Sequence, residues 1–129
     1  MMIADTDALI DYLQGRAPMG DRIALELQHG QLYTTAVSRF ELLASASSPR
    51  QERLITELLG ALPCLPIDAA AADRGAQIRR ELEEHGGSTL SMADCLVAGI
   101  TLESKGVLLT PNRQHFERIP GLALETTTT

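Results

Sequence analysis

Short apolar runs alternate along the chain with longer stretches whose apolar residues recur at helical spacing, and this alternation constrains the fold more than any other feature. Strands that alternate with helices form mainly parallel sheets, and helices cover both faces of such sheets. We therefore predict an α/β fold with a short, mainly parallel central sheet. The predicted strands are Met2–Ala4, Leu32–Thr34, Cys64–Ile67, Val107–Leu109 and Leu122–Leu124.

Apolar stripes and capping residues define the predicted helices between these strands. They cover Ala8–Leu13, Asp21–His29, Ser38 to about Ala46, the stripe Leu54–Leu62 behind a Ser48-Pro49 cap, a segment from Asp68 to Gly86-Gly87, Ser91–Lys105 and part of Pro111–Phe116. The 129 residues suit one compact domain, which we place at residues 1–125. The remaining Thr126–Thr129 is predicted to be a disordered tail.

The composition of the chain argues against several classes of function. A formal net charge of −6 argues against a broad basic surface for nucleic acid, and 3% aromatic residues argue against a stacking platform for single strands. No apolar run approaches the ~18–20 residues of a membrane span, and the N-terminus lacks the pattern of a secretory signal. We expect a cytoplasmic protein whose thiols, Cys64 and Cys95, are small buried side chains rather than a disulfide.

Acidic residues follow the first strand and lie near the starts of two later helices. Asp5 and Asp7 come directly after Met2–Ala4, at the carboxyl end of a strand, where open α/β sheets bind their ligands. Glu41 and Asp94 also have a structural interpretation, because each is the third residue after a serine and so matches the capping-box pattern or a similar one. Asp5 and Asp7 could likewise serve only to stabilise a helix N-terminus.

Asp94 is the least easily explained as a cap, because its helix is apolar almost all round and should be buried on most sides. Neither Lys nor Arg occurs between Leu90 and Thr101. A buried carboxylate needs a cation or hydrogen-bond donors, or its pKa rises until it is neutral. A bound metal would satisfy it, and acids without clustered His favour Mg²⁺ or Mn²⁺ over Zn²⁺. Phosphodiester hydrolysis is the chemistry that uses such a site.

Four segments in their order along the chain resemble the PIN domain, and most of all its VapC-type ribonuclease toxins of type II toxin–antitoxin systems. The segments are Asp5-Thr6-Asp7-Ala8-Leu9-Ile10-Asp11, Ser38-Arg39-Phe40-Glu41-Leu42, Ala93-Asp94-Cys95-Leu96-Val97-Ala98 and Leu109-Thr110-Pro111-Asn112-Arg113-Gln114-His115-Phe116. The resemblance implies a three-layer α/β/α sandwich and a Mg²⁺-dependent endoribonuclease that cuts RNA, with Mn²⁺ as the other metal to consider. It also implies a cognate protein antitoxin and a homodimer.

The resemblance assigns roles to five residues. Asp5, Glu41 and Asp94 match the acidic triad, with Asp5 and Asp94 as direct metal ligands and Glu41 holding water on the metal or a second ion. Thr6 would orient the Asp5 carboxylate through its hydroxyl. Asn112 stands where many relatives have Asp, and its amide oxygen can bind a metal or a water but adds no charge. Three carboxylates and an amide favour one Mg²⁺ ion over two.

Several alternatives stay open. A catalytically weak PIN scaffold that acts as a protein- or RNA-binding module is the first, and a receiver-like phosphoacceptor domain is the second, although the sole Lys105 lies at a helix end. His115 is interpreted as a turn residue that packs beside Phe116, and a general base is the alternative. The helices around Ala44 and Leu58 either form a groove for an amphipathic segment of the antitoxin or pack within the domain.

Overall fold

The computed structural model describes residues 1–86 and 90–127, and its strands and helices alternate as predicted. The strands are β1 (Met2–Ala4), β2 (Leu32–Thr35), β3 (Cys64–Leu65), β4 (Val107–Leu109) and β5 (Ala123–Glu125). The helices are α1 (Thr6–Leu13), α2 (Met19–His29), α3 (Ala36–Ser45), α4 (Pro49–Gly60), α5 (Ala69–Glu84), α6 (Met92–Glu103) and α7 (Arg113–Phe116). No helix within the described ranges is both long enough and apolar enough to span a membrane.

The strands form one sheet in the order β3-β2-β1-β4-β5, and every pairing in it is parallel. Met2 of β1 pairs with Leu32 on one side and with Val107 on the other, so β1 is central. The chain builds the sheet outward from β1 through β2 to β3, and then returns to the other side of β1 with β4. The strand order therefore reverses between β1 and β4, and the crevice beyond such a reversal is where open α/β sheets bind ligands.

Helices cover both faces of the sheet, which confirms the three-layer α/β/α sandwich. Successive residues of a strand point to opposite faces, and the two buried clusters follow this rule. Ile3 and Leu108 belong to the cluster under α5, α6 and α7, whereas Ala4 and Leu109 belong to the cluster under α1, α2 and α4. The central strands are thus buried on both sides and hold the residues after them at fixed positions.

Some predicted element boundaries are wrong by a few residues, and the predicted burial of one cysteine is wrong. β3 stops at Leu65 because Pro66, which was predicted to continue it, has no N–H to donate to the sheet. Both cysteines are free thiols, as predicted, and Cys95 is buried, but Cys64 is exposed on the edge strand. The helix that begins after Asp68 ends at Glu84. The predicted stop at Gly87 and the tail residues Thr128 and Thr129 lie outside the described residues.

Candidate functional site

Asp5 lies at the reversal point, between the carboxyl ends of β1 and β4. Its backbone N–H donates to the carbonyl oxygen of Leu109, 2.9 Å away, which continues the β1–β4 pairing by one residue. Its side chain is the N-cap of α1, because Oδ1 accepts a 2.8 Å hydrogen bond from the backbone N–H of Thr6. Oδ2 accepts a second hydrogen bond, also of 2.8 Å, from Oγ1 of Thr110. Both carboxylate oxygens are therefore held in place.

The environment of Asp5 disfavours its charge. Only 5% of the residue is exposed, and this burial raises the pKa of its carboxyl from 3.8 to about 7. The hydrogen bond from Thr110 lowers the pKa, while the negative charges of Asp7 and Asp94 raise it further. A cation placed beside Asp5 would reverse this balance and favour the ionised form.

Glu41 reaches the site from α3 rather than capping its own helix. The N-cap of α3 is Thr35, whose hydroxyl accepts a 3.1 Å hydrogen bond from the backbone N–H of Ser38. The capping-box interpretation of Ser38 and Glu41 is therefore wrong. The carboxylate of Glu41 instead accepts a hydrogen bond from Oγ1 of Thr6, with 2.6 Å between Oε1 and Oγ1.

Thr6 links two elements of the site, although its hydroxyl does not act where it was expected. Oγ1 lies 2.6 Å from Oε1 of Glu41 and 2.8 Å from the buried Oγ of Ser38. The expectation that this hydroxyl orients Asp5 is wrong, because the contact with the Asp5 carboxylate comes from the backbone N–H of Thr6. Thr6 therefore positions Asp5 with its main chain and Glu41 with its side chain.

Asp94 lies in the first turn of α6, whose N-cap is Ser91 as the sequence pattern suggests. The backbone N–H of Asp94 donates to Oγ of Ser91 over 3.0 Å, so the carboxylate itself is not used as a cap. Burial raises the pKa of Asp94, a positive charge on His115 opposes the rise, and the negative charge of Glu41 adds to it. Asp94 thus shares one electrostatic environment with Glu41 as well as with Asp5.

His115 and Asn112 approach the acids from the segment after β4. Nδ1 of His115 lies 3.9 Å from Oδ2 of Asp94, where a protonated imidazole pairs with the carboxylate. The ring of His115 also lies beside that of Phe116, with 6.5 Å between the centroids, as predicted. The amide Nδ2 of Asn112 contacts Oδ2 of Asp7, and its backbone N–H donates to Oγ1 of Thr110 over 3.0 Å.

Sequence reasoning missed Thr110 as a contributor to the site, and it noted Asp7 among the acids after β1 without giving it a role there. Thr110 is fully buried and connects Asp5 with the backbone of Asn112. Its partner Asp5 is 105 positions away in sequence, so only the pairing of β1 with β4 brings the two together. The available signal was its place directly after a predicted strand that neighbours β1.

The donors of this site are of the kind that Mg²⁺ prefers, namely carboxylate oxygens with an amide oxygen nearby. Within residues 1–86 and 90–127, no group of three or more His, Cys, Asp or Glu side chains is arranged so that it could hold a metal ion by itself. An open set still fits Mg²⁺, because this ion keeps several waters and uses only one or two protein carboxylates together with substrate phosphate oxygens. The raised pKa of Asp5 and of Asp94 means that their charged forms are disfavoured in the protein alone, and a nearby cation would stabilise those charged forms.

The chain is thus an α/β/α protein whose acidic residues lie beside the point where the order of the parallel strands reverses. A sequence model of the PIN domain family matches residues 2–122. The chain belongs to the PIN domain family. Within it, the chain is 30% identical to the tRNA(fMet)-specific endonuclease VapC of Shigella flexneri in an alignment 125 residues long that covers 94% of this chain and 93% of the relative.

Solved structures agree with this assignment. The DNA-bound VapBC of Salmonella typhimurium has a chain that is 25% identical and superposes with a TM-score of 0.83, covering 97% of this chain and 96% of the other. VapBC2 of Rickettsia felis, bound to a DNA fragment from its promoter, has a chain with a TM-score of 0.82 at 20% identity, covering 98% of each chain. The second likeness shows the fold alone, and it confirms the architecture described above.

Proposed function

We propose that this protein is a Mg²⁺-dependent endoribonuclease toxin that hydrolyses RNA phosphodiester bonds in the cytoplasm and is neutralised by a cognate antitoxin. The observation that carries the proposal is the linkage of three acids from separate elements beside the reversal point of the sheet. Thr6 contacts both Asp5 and Glu41, and the charge of Asp94 acts on Asp5 as that of Glu41 acts on Asp94. The curated relatives at 30% and 28% identity are named as tRNA(fMet)-specific endonucleases, which supports RNA as the substrate class.

The roles of the residues follow from their contacts. Mg²⁺, or Mn²⁺ in its place, would activate the attacking water and neutralise charge that develops on the phosphate. Asp5 and Asp94 would hold the ion, because both are carboxylates whose surroundings disfavour an uncompensated charge. Glu41, fixed by the Thr6 hydroxyl, would orient the attacking water or accept its proton. Asn112 would contribute polar contacts at the edge of the site.

Replacing Asp94 by Asn tests this proposal. The cap of α6 uses only the backbone of Asp94, so the fold should persist while the charge is lost. We expect cleavage of tRNA(fMet) transcript and total RNA in Mg²⁺ to fall by at least about 100-fold, because even indirect supports of a metal site are worth about 10–100-fold. The exposed Asp73→Asn on α5 is the matched control and should cleave normally. A folded Asp94→Asn protein with full metal-dependent cleavage would contradict the site assignment.

The second candidate function is a catalytically weak scaffold that binds RNA or protein. It is favoured by the open arrangement of the acids, none of which form a closed set of three in the described part of the chain. Calorimetric titration with Mg²⁺ and Mn²⁺ separates the two functions. Binding that is lost in both Asp5→Asn and Asp94→Asn supports the nuclease, whereas no binding at millimolar metal supports the scaffold.

We propose an amphipathic segment of the antitoxin as the occupant of a groove between α1, α3 and α4. Leu58, expected to line it, is buried in the core, and Ala44 faces a different hollow. The groove of about 280 Å³ is lined instead by Ile10, Leu13, Leu42, Leu54 and Ile55, among others. The net charge of −6 suits a basic partner, and the superposable VapBC structures are named as complexes. We also propose that the protein forms a homodimer.

A further inference from the structure

Asp7 is an exposed carboxylate in the first turn of α1, two residues after Asp5. Its Oδ2 contacts the side-chain amide of Asn112. An ionised carboxylate can only accept hydrogen bonds, so Asn112 must present its NH₂ group to Asp7 and keep its amide oxygen on the other side. Asp7 in turn keeps its second carboxylate oxygen for another partner.

The contact ties Asp7 to the same loop that holds Asp5. Asn112 donates its backbone N–H to Oγ1 of Thr110 over 3.0 Å, and Thr110 donates its hydroxyl to Oδ2 of Asp5 over 2.8 Å. Two residues after β4, Thr110 and Asn112, thus contact the two carboxylates that follow β1. The charge of Asp7 acts on Asp5 directly, since it is one of the causes that raise the pKa of Asp5.

From this connected set of contacts we infer that Asp7 is a fourth carboxylate of the metal site, oriented by Asn112, and that it supplies the charge that the amide at position 112 lacks. The inference rests on the proposed function, because it assigns a residue to the same site. The site then contains Asp5, Asp7, Glu41 and Asp94 rather than three acids and an amide. Asn112 becomes a positioning residue for Asp7.

A simpler explanation of Asp7 is that it stabilises the N-terminus of α1 through the helix dipole. The two explanations differ in what an exchange of the residues would do. The helix needs its charge at position 7. The metal site needs one carboxylate in the pair, and it can stand at position 7 or at position 112. At present Asn112 donates to Asp7, and after an exchange Asn at position 7 can donate to Asp at position 112.

The experiment is a calorimetric titration of the full chain with Mn²⁺. The proteins are the wild type, Asp7→Asn, Asn112→Asp and the exchange Asp7→Asn/Asn112→Asp. Asp7→Asn should weaken Mn²⁺ binding on the order of tenfold, which is the size of the Coulomb effect that one nearby carboxylate has on a divalent ion at a dielectric constant near that of water. The exchange should restore the affinity to within about threefold, and Asn112→Asp alone should tighten binding by a similar Coulomb effect.

The control is Asp21→Asn, which removes an exposed acid from the first turn of α2 and should leave the affinity unchanged. Thermal melts by circular dichroism check that every variant folds. Unchanged affinity in Asp7→Asn, or a loss that the exchange does not recover in folded protein, would overturn the inference while the wild type still binds metal. A wild-type chain that binds no Mn²⁺ would overturn the proposed function, and this inference with it.

Discussion

Asp5 is a buried carboxylate whose surroundings disfavour its charged form. Its two hydrogen bonds, from Thr6 and Thr110, do not offset the burial and the neighbouring acids, so its pKa lies near 7. No Lys, Arg or His within the described residues forms an ion pair with it, whereas Asp94 has His115 nearby. A carboxylate in this state does not stabilise the fold when it is ionised, which makes it a candidate ligand for a cation.

This state predicts a pH dependence for the metal-free protein. The pKa of Asp5 is about 7 when folded and close to 3.8 when unfolded, so the folded state binds the proton more tightly. The resulting stabilisation is complete below about pH 4 and is lost as the pH rises through 7. Asp5→Asn abolishes the titration, and its melting temperature in EDTA should rise relative to wild type by roughly 10 °C between pH 4.5 and pH 8.

Melting curves at both pH values measure this difference, and Asp21→Asn serves as a control in which an exposed acid is changed. A difference between Asp5→Asn and wild type that stays constant with pH would show that Asp5 is ionised in the folded, metal-free protein.

At the scale of the element, the sequence correctly predicts the strands and helix caps that depend only on neighbouring residues. β1, β4 and the caps Ser48, Asp68 and Ser91 match the prediction, because each depends on residues within one turn or one strand. The start of α3 does not match, because Thr35 and Ser38 are both suitable caps and a contact with Thr6 decides how Ser38 is used.

The candidate site also contains residues that the sequence predicts and contacts that it does not. Asp5 and Asp94 stand out in the sequence because each is an acid at the start of a helix. Glu41 lies in the middle of α3 and is selected through the resemblance to the PIN domain. The partners of these acids could not be selected in either way. The contacts of Thr6 with Glu41 and of Thr110 with Asp5 span 35 and 105 residues, and they follow only from the strand order. A pattern within a short window contains no information about that order.

The position of α6 depends on a close contact with α5 that leaves no room for a side chain. A Cβ at Gly99 would lie 2.5 Å from the carbonyl oxygen of Ala71 and 2.9 Å from the backbone N of Gly75. These are backbone atoms, so Gly99→Ala must push the helices apart. We expect a loss of about 1–3 kcal/mol in the free energy of unfolding, measured by urea denaturation.

Gly60→Ala is the matched control for this prediction, since Gly60 is also helical and a Cβ there meets no atom within 4 Å. It should be neutral or stabilising, by up to about 1 kcal/mol. Equal stabilities of the two variants would show that α5 and α6 can separate without cost. A selective loss would also be expected to weaken metal binding, because Asp94 lies on α6.

At the scale of the whole molecule, an acidic protein carries an apolar face beside its acidic site. Phe40 and Met92 are 62% and 69% exposed, and Ile67 is also exposed. They border a hollow of about 670 Å³ between α3 and α6, whose wall includes Leu96 and whose edge includes Glu41. Exposed apolar patches of this kind mark protein interfaces. Each copy of the chain offers both a hollow and a projecting Phe40, so the face can complement itself about a two-fold axis.

Phe40→Glu tests whether this face joins two copies of the chain. A glutamate in place of a phenylalanine at an apolar interface between two like copies would bury two unpaired charges, which costs far more than the contact contributes. We expect wild type to sediment as a dimer and Phe40→Glu as a monomer in analytical ultracentrifugation at micromolar concentration.

Leu25→Glu is the control, because Leu25 is a similarly exposed apolar residue on α2 and should not change the mass. Because Glu41 borders the same hollow, a dimer through this face brings two acidic sites next to one interface. A monomeric wild type, or a Phe40→Glu protein that remains dimeric, would place the homodimer interface elsewhere or exclude it.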